Sequence, residues 1–174
     1  RDTEEARRRH EEQRLPEFRG GIRFEDVNFA YTQDEPVLTD FSLDIAPGET
    51  IALVGETGVG KTTIASLLCR FYEPDGGRIL IDGDLDYRHV PLRWWRRQLG
   101  IVLQDPCLFS GTIRENIRYG RLDAADDEIE AAAHTANAHD FIMECRGGYE
   151  FRIGERAANL SAGQKQLIAL ARVV

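Results

Sequence analysis

The stretch that decides the fold is Gly55-Glu56-Thr57-Gly58-Val59-Gly60-Lys61-Thr62-Thr63, which has the spacing of a phosphate-binding loop: glycine, four residues, then Gly-Lys-Thr. Its glycines allow the backbone to wrap a polyphosphate with the N–H groups pointing inward. The helix that follows turns its positive end toward the same phosphates. We therefore predict a nucleotide site in which Lys61 reaches the β- and γ-phosphates and the Thr62 hydroxyl ligates Mg²⁺.

The residues on either side of this loop supply the context that such a site requires. The apolar run TIALV, residues 50–54, predicts a strand that is buried on both faces. After the loop, apolar residues recur at i, i+3, i+4 and i+7, as in an amphipathic helix. These residues are Ile64, Leu67, Leu68 and Phe71. A glycine-rich turn without a ligand is the alternative, and these flanks favour the nucleotide site.

The composition places the chain among ordinary globular proteins. It has 174 residues, of which 42% are hydrophobic and 30% charged. The net charge of -8 argues against a nucleic-acid-binding surface, which needs a basic face. No apolar run approaches the length of a membrane-spanning helix. The cysteines are odd in number and widely spaced, which is typical of reduced thiols.

The pattern along the chain predicts a β-rich part followed by a helical part. Residues 1–20 are dense in Glu and Arg, and we interpret them as a charged linker. Residues 22–29 and 37–45 alternate between apolar and polar side chains, which predicts an antiparallel β subdomain. Residues 78–81 and 100–103 are predicted as further strands, and residues 91–98 as a short helix. From Gly111 onward the pattern is helical.

The pair Trp94 and Trp95 is flanked by arginines within that short predicted helix. Stacking on a nucleic acid is one interpretation of such a cluster. In an acidic chain, tryptophans that pack on a sheet while the arginines face outward are the better interpretation.

A second signal is the segment Leu160-Ser161-Ala162-Gly163-Gln164. Ser161 is a candidate N-cap and Gln164 stands three residues later, as in a capping box. By itself, the segment would indicate only a well-capped helix start. A helix N-terminus that carries a serine hydroxyl and a glycine can also bind an anion.

Taken together, these features resemble the nucleotide-binding domain of ATP-binding cassette (ABC) transporters. The resemblance covers residues 21–174 and also includes Tyr31, Gln104, and the run LFSGTIRENI at residues 108–117. That run and Gly154-Glu155-Arg156 resemble the exporter branch. The implied fold is α/β, with a phosphate-loop (RecA-like) core, an N-terminal antiparallel β subdomain and an α-helical subdomain over about residues 111–174.

The resemblance implies a role for each matching residue. Tyr31 would stack on adenine, and Val37 would pack near the sugar or base. Gln104 would touch Mg²⁺ and the attacking water, and would sense the membrane domain. The signature segment, residues 160–164, would bind the γ-phosphate of an ATP molecule that a partner domain holds.

Two departures from the family pattern bear on activity. Ala162 stands where the family usually has glycine, and we expect a mild effect because alanine can adopt helical angles there. The chain also stops at Val174, inside the signature helix, whereas the family's Mg²⁺-binding Asp, its catalytic Glu and its switch His come later. This segment alone is therefore predicted to be incomplete at its C-terminus and inactive.

The function that the resemblance implies is ATP binding and, in the intact parent, ATP hydrolysis that drives export. The implied partners are a membrane domain of the same polypeptide and a second nucleotide-binding domain, as a homodimer or heterodimer, with no nucleic acid. The implied location is the cytoplasmic face of the cell membrane. Two alternatives stay open: a catalytically weak regulatory half of a heterodimeric exporter, and a soluble ABC ATPase that is not a transporter.

Overall fold

The computed structural model describes Leu15 and residues 17–32, 35–56, 58–154 and 157–174. These residues form two compact units, the first ending at Leu99 and the second comprising Gly100–Val174. Most of the linker predicted for residues 1–20 lies outside the described residues. Within the described part of the chain, no helix is long and apolar enough to cross a membrane.

The first unit is built on an antiparallel sheet of four strands in the order β2-β1-β3-β4. The strands are β1 (Ile22–Ala30), β2 (Pro36–Ile45), β3 (Gly76–Ile81) and β4 (Leu85–Asp86). Every pair of neighbouring strands is antiparallel. The predicted antiparallel β subdomain is thereby confirmed.

A bulge in β1 explains why its apolar alternation is imperfect. Phe24, Val27 and Phe29 are all buried, and the pairing register shifts between Phe24 and Val27. An extra residue in a bulge carries the following side chains back to the core face. Asp26, with φ of 45°, marks the site. Gly77 of β3 passes so close that an added Cβ would lie 2.3 Å from the Asp26 carbonyl oxygen.

Among the described residues of this unit, two helices pack against the sheet core. Helix α1 (Lys61–Leu68) buries Ile64 and Leu67 in the same apolar core as the strands, and α2 (Leu92–Arg97) follows β4 and the 3-10 turn Tyr87–His89. Trp95 is fully buried in that core, as predicted, and its indole N–H donates to the Leu68 carbonyl at 2.6 Å. Arg96 is exposed but donates to two more carbonyls, those of Cys69 and Arg70. Helix α2 thus caps the carboxyl end of α1.

Three sequence predictions in these regions are wrong. Residues 50–54 and 100–103 are not strands, and their side chains are exposed, with Val54 at 92%. A strand exists only when a neighbour accepts and donates its backbone hydrogen bonds, and no strand among the described residues pairs with either segment. Phe71 lies beyond the end of α1 and is exposed, because the helix closes at Cys69 and the chain turns at Arg70 with φ of 49°.

The second unit is mainly helical, as predicted. A two-stranded ladder joins β5 (Gly111–Thr112) to β6 (Arg152–Ile153), with the 3-10 turn Gly148–Glu150 preceding β6. The helices are α3 (Ile113–Arg118), α4 (Asp126–Thr135), α5 (His139–Glu144) and α6 (Ala162–Ala171). One isoleucine core joins them. Its largest fully buried side chains are Ile113, Ile129, Ile142 and Ile168.

Candidate functional site

The predicted phosphate loop turns sharply at two glycines before α1 begins. Gly58 has φ of 94° and Gly60 has φ of 93°, a left-handed backbone conformation that residues other than glycine rarely adopt. Gly60 is also the N-cap of α1, and a Cβ there would lie 2.9 Å from Leu38 Cδ2. Any other residue at position 60 would therefore strain this path of the loop backbone. Thr57 lies outside the described residues.

The start of α1 presents backbone donors and one cation. The first intrahelical bond runs from the Ile64 N–H to the Gly60 carbonyl, at 3.0 Å. The N–H groups of the three preceding residues have no acceptor within the helix, as at every helix start. Lys61 Nζ donates to the carbonyls of Gly55 at 2.7 Å and Glu56 at 2.5 Å. A positive charge and a row of N–H groups thus lie together at the positive end of a helix, which suits a phosphate.

Two other predicted site residues lie beside this loop. Val37 of β2 is in contact range of Gly60, since a Cβ on that glycine would lie 3.4 Å from both Val37 Cγ1 and the Val37 carbonyl oxygen. Tyr31 follows β1 directly, and its hydroxyl lies 3.1 Å from the Thr63 hydroxyl in the first turn of α1. The structure therefore brings Tyr31, Val37 and the phosphate loop together, although they are separated in sequence.

An aromatic neighbour of Tyr31 escaped the sequence reasoning. The rings of Tyr31 and Tyr72 have centroids 5.1 Å apart and planes at 86°. The apolar periodicity of α1 predicted that the helix continues through Phe71. No sequence pattern links Tyr72 to Tyr31, which lies 41 residues earlier. The position of Tyr72 follows from the turn at Arg70 after α1, which the helical periodicity through Phe71 did not predict.

Gln104 belongs to the second unit, where it is exposed. Its backbone oxygen accepts a hydrogen bond from the side chain of Gln166 in α6, at 3.3 Å. The loop that contains Gln104 is therefore hydrogen-bonded to α6, the helix that Ser161 caps. Thr62, the other residue predicted to bind Mg²⁺, belongs to the first unit and has an exposed side chain.

The predicted capping box at the start of α6 is confirmed. Ser161 is the N-cap, its hydroxyl accepts from the Gln164 N–H at 3.2 Å, and its own N–H donates to Gln164 Oε1 at 2.9 Å. Leu160 is buried and anchors the turn, whereas Ala162 and Gly163 are exposed. A Cβ on Gly163 would meet no atom within 4 Å. The helix start is thus open to an approaching group. Glu155 and Arg156, which precede it, lie outside the described residues.

Comparison with known proteins identifies a family for this chain. The family model described as ABC transporter matches residues 38–174, a range that includes the phosphate loop, Gln104 and residues 160–164 but begins after Tyr31 and Val37. A Bacillus subtilis protein whose name describes a multidrug export ATP-binding/permease protein is 54% identical over 158 residues, which cover 90% of this chain and 27% of that protein. ABC transporter B family member 3 of Dictyostelium discoideum is 50% identical over 157 residues, covering 89% of this chain and 11% of that protein.

A solved structure is similar as well. It is that of a bacterial Atm1-family ABC exporter with ATP bound, which is 46% identical and has a TM-score of 0.87. The match covers 91% of this chain and 28% of that chain. The present chain thus spans about a quarter of the length of the bacterial proteins that it matches.

Proposed function

This chain belongs to the ABC transporter family, and from that premise we propose that it is the nucleotide-binding domain of an ATP-hydrolysing exporter. The observation that carries the proposal is the phosphate loop, in which two left-handed glycines lead into α1 and Lys61 lies against the loop backbone. The likeness to an exporter structure that contains ATP supports the same assignment.

The residues fit an adenine nucleotide in three places. We assign the phosphates to the loop of residues 55–63, in which Gly58 and Gly60 take the left-handed backbone angles of a tight turn before α1. Lys61 supplies the charge-assisted bond to phosphate. Tyr31 supplies the aromatic surface for the base, and Val37 packs beside the loop near the sugar or base.

The proposed hydrolysis depends on positioning more than on covalent chemistry. When bound, Mg²⁺ neutralises charge that develops on the phosphate oxygens. Thr62 and Gln104 are the residues that we assign to the metal, since a hydroxyl and an amide oxygen are ligands that Mg²⁺ accepts. Gln104 would also orient the attacking water, and Lys61 would stabilise negative charge on the transferred phosphoryl group.

The second anion site, at the start of α6, is assigned to a partner. One chain needs one cradle for one polyphosphate, and α6 offers a further helix N-terminus with exposed Ala162 and Gly163. We propose that Ser161, Gly163 and Gln164 contact the γ-phosphate bound by a second nucleotide-binding domain, so that two domains clamp two ATP molecules head to tail. A membrane domain of the same polypeptide would hold the pair at the cytoplasmic face of the membrane.

The test uses the intact transporter and compares Lys61→Ala with wild type. Loss of the ammonium should abolish phosphate release with Mg·ATP and weaken ATP binding far more than adenosine binding, because adenosine carries no phosphate. The matched control is Arg78→Ala, which removes an exposed cation of β3 in the same unit. Equal losses for ATP and adenosine in Lys61→Ala would contradict the phosphate-loop assignment. Tight ATP binding by the wild type without turnover would instead indicate a regulatory half.

A further inference from the structure

Tyr31 stands in a cluster of three aromatic rings, and the inference below rests on the proposed stacking of adenine on that residue. The centroids of Phe29 and Tyr31 lie 5.0 Å apart with planes at 86°, and those of Tyr31 and Tyr72 lie 5.1 Å apart at the same angle. Perpendicular rings attract because the positive edge of one meets the negative face of the other. The Tyr31 ring is therefore held by two neighbours, although it is 50% exposed.

The two neighbours differ in what anchors them. Phe29 is buried in the core of the first unit, so its position is set by the sheet. Tyr72 is 48% exposed and follows the end of α1, where the Phe71 N–H donates to the Ser66 carbonyl at 3.0 Å. Three residues later, the Asp75 carboxylate accepts from the N–H of Ala30 at 2.8 Å. Tyr72 thus lies in a segment that is bonded both to α1 and to the end of β1.

A hydroxyl contact provides the third support. The hydroxyls of Tyr31 and Thr63 lie 3.1 Å apart, and Thr63 is buried in the first turn of α1. Tyr31 therefore contacts residues at both ends of α1. Thr63 lies in the first turn of the helix, and Tyr72 lies just beyond its C-terminus. Helix α1 therefore fixes the position of the Tyr31 ring relative to the phosphate loop.

We propose that Tyr72 is a positioning residue for the nucleotide base, which holds the Tyr31 ring in the orientation that stacks on adenine. An exposed ring that is free to change rotamer must be immobilised when a ligand binds, and this ordering weakens binding. Because Tyr72 already holds the Tyr31 ring before the nucleotide binds, binding does not have to order that ring. Its effect falls on the base alone, because the phosphates are bound by Lys61 and the backbone of the loop.

The experiment measures binding of ATP and of inorganic tripolyphosphate to the intact transporter by calorimetry. Tyr72→Ala should raise the Kd for ATP about three- to tenfold, which corresponds to the strength of the one aromatic pair that it makes with Tyr31. The Kd for tripolyphosphate, which has no base, should stay within about twofold of wild type. Tyr72→Phe keeps the ring and should restore ATP binding. The matched control is Tyr119→Ala, which removes an exposed tyrosine of the second unit and should change neither ligand.

Two outcomes would overturn the proposal: an unchanged Kd for ATP in Tyr72→Ala, or equal losses for both ligands. Tyr31→Ala separates this proposal from the proposed function. If Tyr31→Ala leaves the ratio of the two affinities unchanged, the adenine platform itself is wrong. If it lowers that ratio while Tyr72→Ala does not, only the positioning role is wrong. Should Tyr72→Ala not fold, Tyr72→Leu retains apolar bulk without a ring and gives the same comparison.

Discussion

Arg172 donates two hydrogen bonds to Asn116, one to its backbone oxygen and one to its side-chain oxygen, each 3.0 Å long. A third bond joins the guanidinium to the Cys107 carbonyl at 3.0 Å. Burial lowers the pKa of Arg172 from its ordinary value because the charged form loses water. Arg172, the C-cap residue of α6, thereby connects α6 by hydrogen bonds to α3 and to the loop that follows Gln104.

Asn116→Ala should destabilise this unit by about 2–4 kcal/mol, since it removes four partly or fully buried hydrogen bonds, to Phe109, Thr112 and Arg172. The Asn116 amide is 2% exposed, accepts from the Phe109 N–H at 2.8 Å, and donates to the carbonyls of Phe109 and Thr112 at 2.9 Å each. Hydrogen exchange of the intact protein should show faster exchange in peptides covering residues 104–118.

The matched control is Asn159→Ala, at an exposed asparagine of the same unit. It should alter exchange in residues 104–118 less than Asn116→Ala does, because its hydrogen bonds go to Arg152 and Gly154, outside that range. Equal protection in Asn116→Ala and wild type would show that the hydrogen bonds of the Asn116 side chain do not hold this loop.

Ser161→Arg should abolish ATP hydrolysis by the intact transporter while ATP still binds to the phosphate loop of the same chain. A bulky cation at the exposed N-cap of α6 would block approach of the partner's nucleotide and would also repel the positive end of the helix. Turnover is measured beside photolabelling with an ATP analogue. If labelling of the altered chain vanished together with turnover, the signature would act on its own chain's nucleotide and the head-to-tail arrangement would be wrong.

Gly163→Ala, at the same helix start, should affect stability and ATP hydrolysis in different ways. An added Cβ meets no atom within 4 Å, and alanine is favoured over glycine in helices by about 1 kcal/mol, so thermal stability should be retained or raised. Hydrolysis should nevertheless fall if a phosphate of the partner approaches this backbone closely. The companion variant Ala162→Gly should change turnover only mildly. Full activity in Gly163→Ala would remove this glycine from the proposed contact.

Local patterns were predictable from the sequence wherever neighbouring residues determine the structure. The capping box of Ser161 and Gln164 closes within one helical turn, and the glycines of the phosphate loop determine their own backbone angles. The alternation in β1 also indicated its buried face, although the bulge at Asp26 was not visible because a bulge depends on the register with neighbouring strands.

Features that depend on distant pairing were not predictable. The apolar residues 50–54 have strand-like composition, but backbone pairing must come from another segment, and composition does not show which. The contacts of Tyr72 with Tyr31 and of Arg172 with Asn116 are of the same kind, since each joins residues that are far apart in the chain. Side-chain chemistry indicated which residues could bind a nucleotide, whereas the contacts that hold those residues in place emerged only from the fold.

Residues 1–174 expressed alone should neither form a stable monomer nor hydrolyse ATP. Two apolar segments, 50–54 and 100–103, are exposed and have no partner strand among the described residues. Their exposed apolar side chains are Ile51, Leu53, Val54, Ile101, Val102 and Leu103. Unpaired apolar backbone of this kind promotes aggregation, and with net stabilities of only about 5–15 kcal/mol a domain tolerates little loss of pairing. A chain that does not fold cannot form the phosphate site, so hydrolysis should be lost together with the fold. Size-exclusion chromatography, thermal unfolding and phosphate release with Mg·ATP provide the measurements. A monomer that unfolds cooperatively and has turnover lost in Lys61→Ala would contradict the prediction, because the two exposed apolar segments would then not prevent folding.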